Sequence, residues 1–220
     1  MKTKILSITF LLLLIVTIGK AQDQAQDSVS CGFRIYSVSF TAGWYQPKMD
    51  YWNDTYLPTL GVTETFSGNI ALGGNITVAL PYDLRARVGV SYWNDKVKGN
   101  ESSTISSLRI GFTRFNLGAL YAPKVVSFNR FQPYIGVEGQ FYMINNKLES
   151  GTEIARQQGQ DYSLSPVIGI DRSFGHLVVG AEFMYNLGSY TQDVSDGIGV
   201  TEQKVSIKGS EIGITVGYRF

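Results

Sequence analysis

Three glutamates are spaced so that their side chains share one face of predicted strands. Glu138, Glu182 and Glu211 each lie at a polar position in a segment whose alternate residues are apolar. Neighbouring carboxyl groups are the residue type of general acid–base catalysis, in which one group donates a proton that another accepts. Arginines occur at the same polar positions of these and neighbouring segments, and they are Arg85, Arg87, Arg114 and Arg219.

An internal ion-pair network explains these charges better than an active site or a proton path. The alternating segments described below predict a barrel of eight strands. Such a barrel is just wide enough for its interior to be filled by side chains. A charge buried there without a partner is costly, so acidic and basic side chains are expected to pair. We therefore predict a structural network made of the three glutamates and the four arginines.

Other catalytic and metal chemistry has little support. Nucleophilic catalysis needs a nucleophile, a base and a group that orients the base. The only histidine, His176, is followed by two apolar residues and is predicted to begin a strand after a turn. The only cysteine, Cys31, permits no internal disulfide. We expect no catalytic residues, no metal site and no cofactor.

The elements that would hold these charges alternate strictly between apolar and polar or small residues. The C-terminal "EIGITVGYRF" alternates without exception to the last residue. Such a period of two predicts strands with one apolar face. Eight segments have this character: 36–45, 66–80, 84–93, 105–121, 134–143, 162–171, 176–190 and 211–220.

The fourth segment changes phase. Leu108, Ile110 and Phe112 are apolar at even positions, whereas the later apolar series is at odd positions: Phe115, Leu117, Ala119 and Tyr121. An extra residue in one strand would shift the side chains to the other face. We therefore predict a β-bulge near residues 111–114.

The connections alternate in length, which predicts an up-and-down barrel. Short turns at one end, long polar loops at the other and an even strand count are typical of outer-membrane barrels. The last strand must pair with the first, because lipid offers backbone groups no partner. The predicted short connections are 81–83, 122–132 and 172–176, and the long ones are 46–65, 94–104, 145–161 and 190–206.

Aromatic residues favour a lipid-facing barrel over a secreted lipocalin-like binder, whose apolar face would point inward. They gather at both ends of the predicted strands, as in the two aromatic girdles of transmembrane barrels. The girdle near the long loops is Trp44, Tyr45, Tyr92, Trp93, Phe141, Tyr142 and Tyr190. The girdle near the short turns is Tyr82, Tyr121, Phe131, Tyr134, Phe174, Tyr218 and Phe220.

The N-terminus predicts export. A basic "MKTK", an apolar run and small residues before a cleavage after Ala21 form a secretory signal pattern. The apolar run is shorter than the roughly 20 residues that a membrane-spanning helix needs. We predict a signal peptide at 1–21, a flexible stub at 22–32 and an outer-membrane barrel domain at 33–220.

Over 33–220 the chain resembles the small outer-membrane β-barrels typified by OmpA and OmpX. Its "GITVGYRF" resembles the C-terminal signal that such proteins present to the barrel assembly machinery, and "QPYIGVEG" resembles the periplasmic start of a strand. The "KAQ" junction resembles exported proteins of the Bacteroidota. The resemblance implies an all-β, eight-stranded antiparallel up-and-down transmembrane barrel in the cell outer membrane, with lipid and the assembly machinery as partners. The residues that match the terminal signal are Gly213, Val216, Tyr218 and Phe220.

The loops are the remaining candidates for function. Tyr51, Trp52 and Tyr56 lie in the first long loop, where exposed aromatics can mark a contact site or pack on the barrel rim. With 19 basic and 18 acidic residues, the composition predicts no nucleic-acid partner. We predict a non-enzymatic scaffold that displays four loops for adhesion, envelope integrity or binding of envelope proteins. A narrow pore for small or hydrophobic solutes is the main alternative, and a lipid-modifying enzyme is less favoured.

Overall fold

The computed structural model describes residues 33–100, 103–195 and 200–220. The predicted signal peptide (1–21), the stub (22–32) and Cys31 lie outside the described residues. The described part contains ten strands: β1 (Arg34–Pro47), β2 (Asn69–Ala79), β3 (Leu84–Lys98), β4 (Ser107–Tyr121), β5 (Phe131–Ser150), β6 (Glu153–Phe174), β7 (Leu177–Asn186), β8 (Ser189–Ser195), β9 (Val200–Ser206) and β10 (Gly209–Arg219).

Eight of these strands form a closed antiparallel barrel in which each strand pairs with its neighbours in sequence. The last strand closes the ring on the first, with Ser37 opposite Arg219 and Pro47 opposite Gly209. Closure removes the free strand edges that an open sheet would expose. The prediction of an eight-stranded up-and-down barrel is confirmed. Strands β8 and β9 form a separate hairpin between β7 and β10.

The apolar face of the barrel points outward, and the charged face points inward. Leu117, on the outer face of β4, is 68 % exposed, and Ile214 on β10 is also exposed. Arg87 and Glu138 on the inner face are buried. This is the reverse of a lipocalin-like barrel, whose apolar face surrounds a ligand.

The short connections turn through left-handed backbone, and the one between β4 and β5 also contains a 3-10 helix at Lys124–Val126. Tyr82 and Asp83 have φ values of 62° and 60°, and Asn129 and Arg130 have φ values of 44° and 69°. Two consecutive residues with positive φ match the twist of the flanking antiparallel strands. These turns define the short-turn end of the barrel, and the opposite end is called the loop end.

The predicted long loops contain more regular structure than the sequence pattern indicates. The predicted loop 145–161 is instead a β-arm: β5 runs to Ser150, β6 starts at Glu153, and the two strands pair throughout. Its residues are polar on both faces, so hydrophobicity shows no period of two although the backbone is extended. The predicted loop 190–206 holds the β8–β9 hairpin.

The first long connection contains a short helical segment. A π-helical turn spans Tyr51–Tyr56, and an α-helical turn follows at Leu57–Thr59. Pro58 lies in the first turn of the latter, where a missing backbone N–H costs nothing. Among the described residues, no helix has the length and apolar character to cross a membrane.

The predicted bulge at residues 111–114 is wrong. The β3–β4 and β4–β5 registers run through these residues without a shift. Phe112 and Arg114 are both buried on the same inner face of β4. The phase changes in the sequence because the interior itself changes, from apolar contacts around Leu108, Ile110 and Phe112 to charged contacts from Arg114 onward.

Candidate functional site: a filled lumen beneath a loop cap

The middle of the barrel is occupied by an ion triad around Arg87. Its Nε donates to Glu138 Oε1 at 2.5 Å, and its Nη1 donates to Glu182 Oε2 at 2.5 Å. The three residues come from β3, β5 and β7, so the contacts join strands across the lumen. Charge-assisted hydrogen bonds of this kind are among the stronger ones in proteins.

A second ion pair lies nearer the loop end. Arg114 Nη1 donates to Glu211 Oε2 at 2.5 Å, and Arg114 Nε donates to Ser91 Oγ at 2.9 Å. The Arg114 guanidinium also lies 5.1 Å from the centre of the Tyr45 ring. The pair thus links β4 to β10 through the interior and meets the aromatic residues above it.

The remaining two arginines lie toward the short-turn end. Arg85 pairs with Asp171 at 2.7 Å, and its guanidinium lies 3.9 Å from the centre of the Tyr36 ring. Arg219 donates from Nη1 to Ser173 Oγ at 2.9 Å. Asp171 is a network member that sequence reasoning did not name, although it lies at a polar position of the sixth alternating segment.

Two glycines on the inner wall make room for this network. A Cβ on Gly118 would lie 2.8 Å from Glu138 Cγ, and a Cβ on Gly169 would lie 2.3 Å from Tyr134 Cζ. The Tyr134 ring therefore lies against the bare backbone of β6, and its hydroxyl donates to Glu182 Oε2 at 2.9 Å. Glycine is required at both positions by close approach of a side chain.

The space left inside the network is small. The cavity bounded by Arg87, Glu138 and their neighbours has a volume of about 30 Å³. That is room for about one or two water molecules. A cavity of this size is too small for a hydrated ion or an organic solute.

Above the network, toward the loop end, the lumen is filled by an apolar cluster that we call the cap core. Trp93 and Phe112 stack with ring centres 4.9 Å apart. Phe112 also meets the edges of Tyr142 and Tyr190 at 5.9 and 6.4 Å. The cap core consists of Tyr45, Trp93, Phe112, Tyr142, Tyr190 and Ile207, all with 0–1 % exposure.

Several predicted girdle residues therefore belong to the interior. Two adjacent residues of a strand point to opposite faces, so only one of each aromatic pair can face outward. Trp44 and Tyr92 are half-exposed on the outside, whereas Tyr45 and Trp93 are buried. The girdle assignments that the structure overturns are Tyr45, Trp93, Tyr142, Tyr190 and Tyr134.

The helical segment covers the cap core. Trp52 is 2 % exposed and donates from Nε1 to the Tyr190 hydroxyl at 2.9 Å. Of the two alternatives for Trp52, the structure shows packing on the barrel rim, because its ring is buried. Tyr51 and Tyr56 are half-buried beside it. Burial raises the pKa of Tyr190 to about 12, so its hydroxyl is neutral at physiological pH.

The residues of the C-terminal motif lie along β10 and just after it. Gly213 lies on the inner face, and Val216 and Tyr218 are half-exposed on the outer face. The Phe220 backbone N–H donates to the Tyr36 carbonyl at 3.2 Å, which holds the terminal residue against β1. The predicted turn position of His176 agrees with the structure, where its ring stacks on Tyr218 at 5.2 Å. Within the described ranges, no group of three or more His, Cys, Asp or Glu residues is placed to hold a metal.

Comparison with known protein families and with curated proteins gives no match. Solved structures do match. Ail of Yersinia pestis, solved with the heparin analogue sucrose octasulfate, is 13% identical with a TM-score of 0.50, over 84% of this chain and 98% of that one. The N-terminal barrel of Pseudomonas aeruginosa OprF is 15% identical with a TM-score of 0.49, over 85% of this chain and 100% of that one. At such identities the likeness concerns the fold alone: this chain has the eight-stranded antiparallel barrel seen in small outer-membrane proteins.

Proposed function

We propose that this chain is a non-enzymatic outer-membrane barrel that acts as a rigid scaffold for its loop end. The observation that carries the proposal is the filled lumen. The Arg87 triad closes the middle of the barrel, and the cap core closes the loop end. A closed interior cannot transport solutes, so the surface that remains for function is the one that the loops present.

The outer face supports location in the outer membrane. Half-exposed aromatic residues lie at both ends of the outward face, such as Tyr92 toward the loops and Tyr121 toward the short turns. Exposed aliphatic residues such as Val88 lie between them. An apolar band flanked by aromatic rings matches the polarity profile of a bilayer. Lipid and, through the C-terminal motif, the barrel assembly machinery would then be partners.

The loop end offers the scaffold a shaped surface. The arm at residues 145–161 is a paired β-structure, and the hairpin β8–β9 packs beside it. Gln192 on β8 is bonded to Asn146 on β5 at 2.5 Å, which fixes the hairpin against the arm. Such a surface suits recognition of envelope or external proteins, because binding residues are often carried on loops that a rigid framework positions.

Refolded chain 22–220 is expected to give no steady single-channel current in planar lipid bilayers. The ion pairs and the cap core leave too little space for hydrated ions. Single-channel recording checks this, with Glu138→Gln and Arg87→Gln measured alongside. Regular current steps that either substitution alters would show a water-filled lumen lined by these residues, and the narrow-pore function would replace the scaffold.

A further inference from the structure

A pocket opens at the loop end between three separate elements. The helical segment, the arm and strand β8 enclose a volume of about 220 Å³, which we call the cap pocket. It lies beyond the cap core toward the loop end, and the inner-face residues Leu108 and Asn146 form part of its wall. A ligand can therefore occupy it without passing through the barrel.

The lining of the cap pocket is apolar on most of its surface and carries no charge. Its apolar side chains are Trp52, Tyr56, Leu108, Leu148 and Ala155, and its amides are Asn146, Gln157 and Gln192. An anionic or cationic ligand would lose its hydration without gaining an opposite charge. The lining thus favours an uncharged molecule that is largely apolar.

One residue of this lining, Asn146, has a buried polar atom without a partner among the described residues. Asn146 is 5 % exposed, and its Nδ2 donates to Gln192 Oε1 at 2.5 Å and to the Tyr190 hydroxyl at 3.5 Å. Its Oδ1 is buried and accepts no hydrogen bond within the described part of the chain. Buried acceptors are nearly always satisfied, because an unsatisfied one forfeits its hydration. A donor supplied by a bound molecule would satisfy this one.

We propose that the cap pocket binds a small uncharged molecule of about one ring, apolar except for one hydrogen-bond donor that faces Asn146 Oδ1. A dry cavity of roughly 150 Å³ in another protein holds benzene, so a volume of 220 Å³ admits one substituted ring. This site goes beyond the scaffold function and does not depend on it, since the pocket could bind the ligand whether or not the barrel conducts ions.

The test uses two probes that differ only in the donor, 4-fluorophenol and fluorobenzene. Fluorine NMR titrations of chain 22–220 in lipid nanodiscs measure the affinity, and empty nanodiscs measure partition into lipid. Asn146→Leu removes the acceptor at similar size. Ala155→Met fills the pocket from the arm, and Ile154→Met is the matched control, because Ile154 is exposed next to Ala155 and does not line the pocket.

We expect 4-fluorophenol to bind about tenfold more weakly to Asn146→Leu, which is the typical loss for one hydrogen bond. Fluorobenzene should bind both proteins equally. Ala155→Met should abolish binding of both probes, and Ile154→Met should change neither. Heat-modifiable gel mobility shows that each variant is folded. If Asn146→Leu does not fold, Ala155→Met still decides whether the pocket is occupied.

Three results would overturn the proposal. Unchanged binding of 4-fluorophenol by Ala155→Met would place the probe elsewhere. Equal weakening of both probes by Asn146→Leu would remove the role of the acceptor. Displacement of 4-fluorophenol by glucose, which offers many donors and acceptors, would mean that the amides select a sugar rather than a mostly apolar ring.

Discussion

Replacing Arg87 with methionine is expected to lower the free energy of unfolding by about 3–5 kcal/mol, the typical cost of removing one partner of a buried ion pair. Arg87 is the shared partner of Glu138 and Glu182, so the substitution leaves two carboxylates that face each other in a closed interior. Methionine keeps a long side chain, so most of the loss comes from the missing charge rather than from a cavity.

Equilibrium unfolding in urea, with the barrel refolded in lipid vesicles and followed by tryptophan fluorescence, measures this effect. Val88→Met is the matched control, because Val88 is the next residue on the same strand and is 51 % exposed on the outer face. Its effect should stay within about 0.5 kcal/mol, as for most exposed substitutions. A loss below about 1 kcal/mol for Arg87→Met would mean that water enters the lumen and screens the carboxylates.

A triple variant separates the charge from the shape of the network. Arg87→Met combined with Glu138→Gln and Glu182→Gln removes all three charges and retains side chains of similar size. Replacing a buried ion pair with uncharged side chains often leaves the stability almost unchanged. The triple variant should therefore recover most of the stability that Arg87→Met loses. That recovery would show that each charge of the triad is needed because it neutralises the others.

The charged half of the interior could be predicted from the sequence because parity alone decides which residues face inward. Glu138, Glu182 and Glu211 share a face with the arginines. Inside a closed barrel of eight strands, such side chains can contact only other inward-facing side chains. The individual partners could not be predicted. Asp171 pairs with Arg85 across the lumen, and the choice depends on the stagger of strands around the ring.

The loop end could not be predicted in the same way. The sequence 145–161 has polar residues at both parities, so its pairing into the arm leaves no hydrophobic period to detect. The cap core reverses the usual polarity of the inner face, and that reversal looks like a bulge when only Leu108, Ile110 and Phe112 are considered. Asn146 and Gln192 lie within predicted loops, where no spacing indicates that they meet.

In adjacent aromatic pairs, by contrast, alternation along the strand does separate the two residues. Tyr92 and Trp93 are equally suited to a membrane interface by composition, and yet alternation along a strand sends one outward and the other inward. Position along the strand alone predicts a girdle place for both residues. The parity of the neighbouring Val88 and Val90 assigns Tyr92 to the outer face and Trp93 to the inner face.

The outward face leads to the second large expected effect, a loss of about 2–4 kcal/mol in the free energy of unfolding for Val88→Arg in a bilayer. On β3, Val88 lies midway between the outward residues Leu84 and Tyr92. If the apolar band spans a membrane, this position is near the bilayer midplane. An arginine there must keep its charge in lipid or pull water and headgroups toward it.

The matched substitution is Ile154→Arg, at a residue that is 56 % exposed but lies on the arm beyond the barrel wall. Both changes place the same charge on a half-exposed aliphatic position of a strand. In water each would shift stability by less than about 0.5 kcal/mol. Urea unfolding in vesicles therefore tests the location directly. A large loss of unfolding free energy for Val88→Arg with little loss for Ile154→Arg requires lipid around the barrel. Equal small losses would place the apolar face of the barrel against another protein surface or in water.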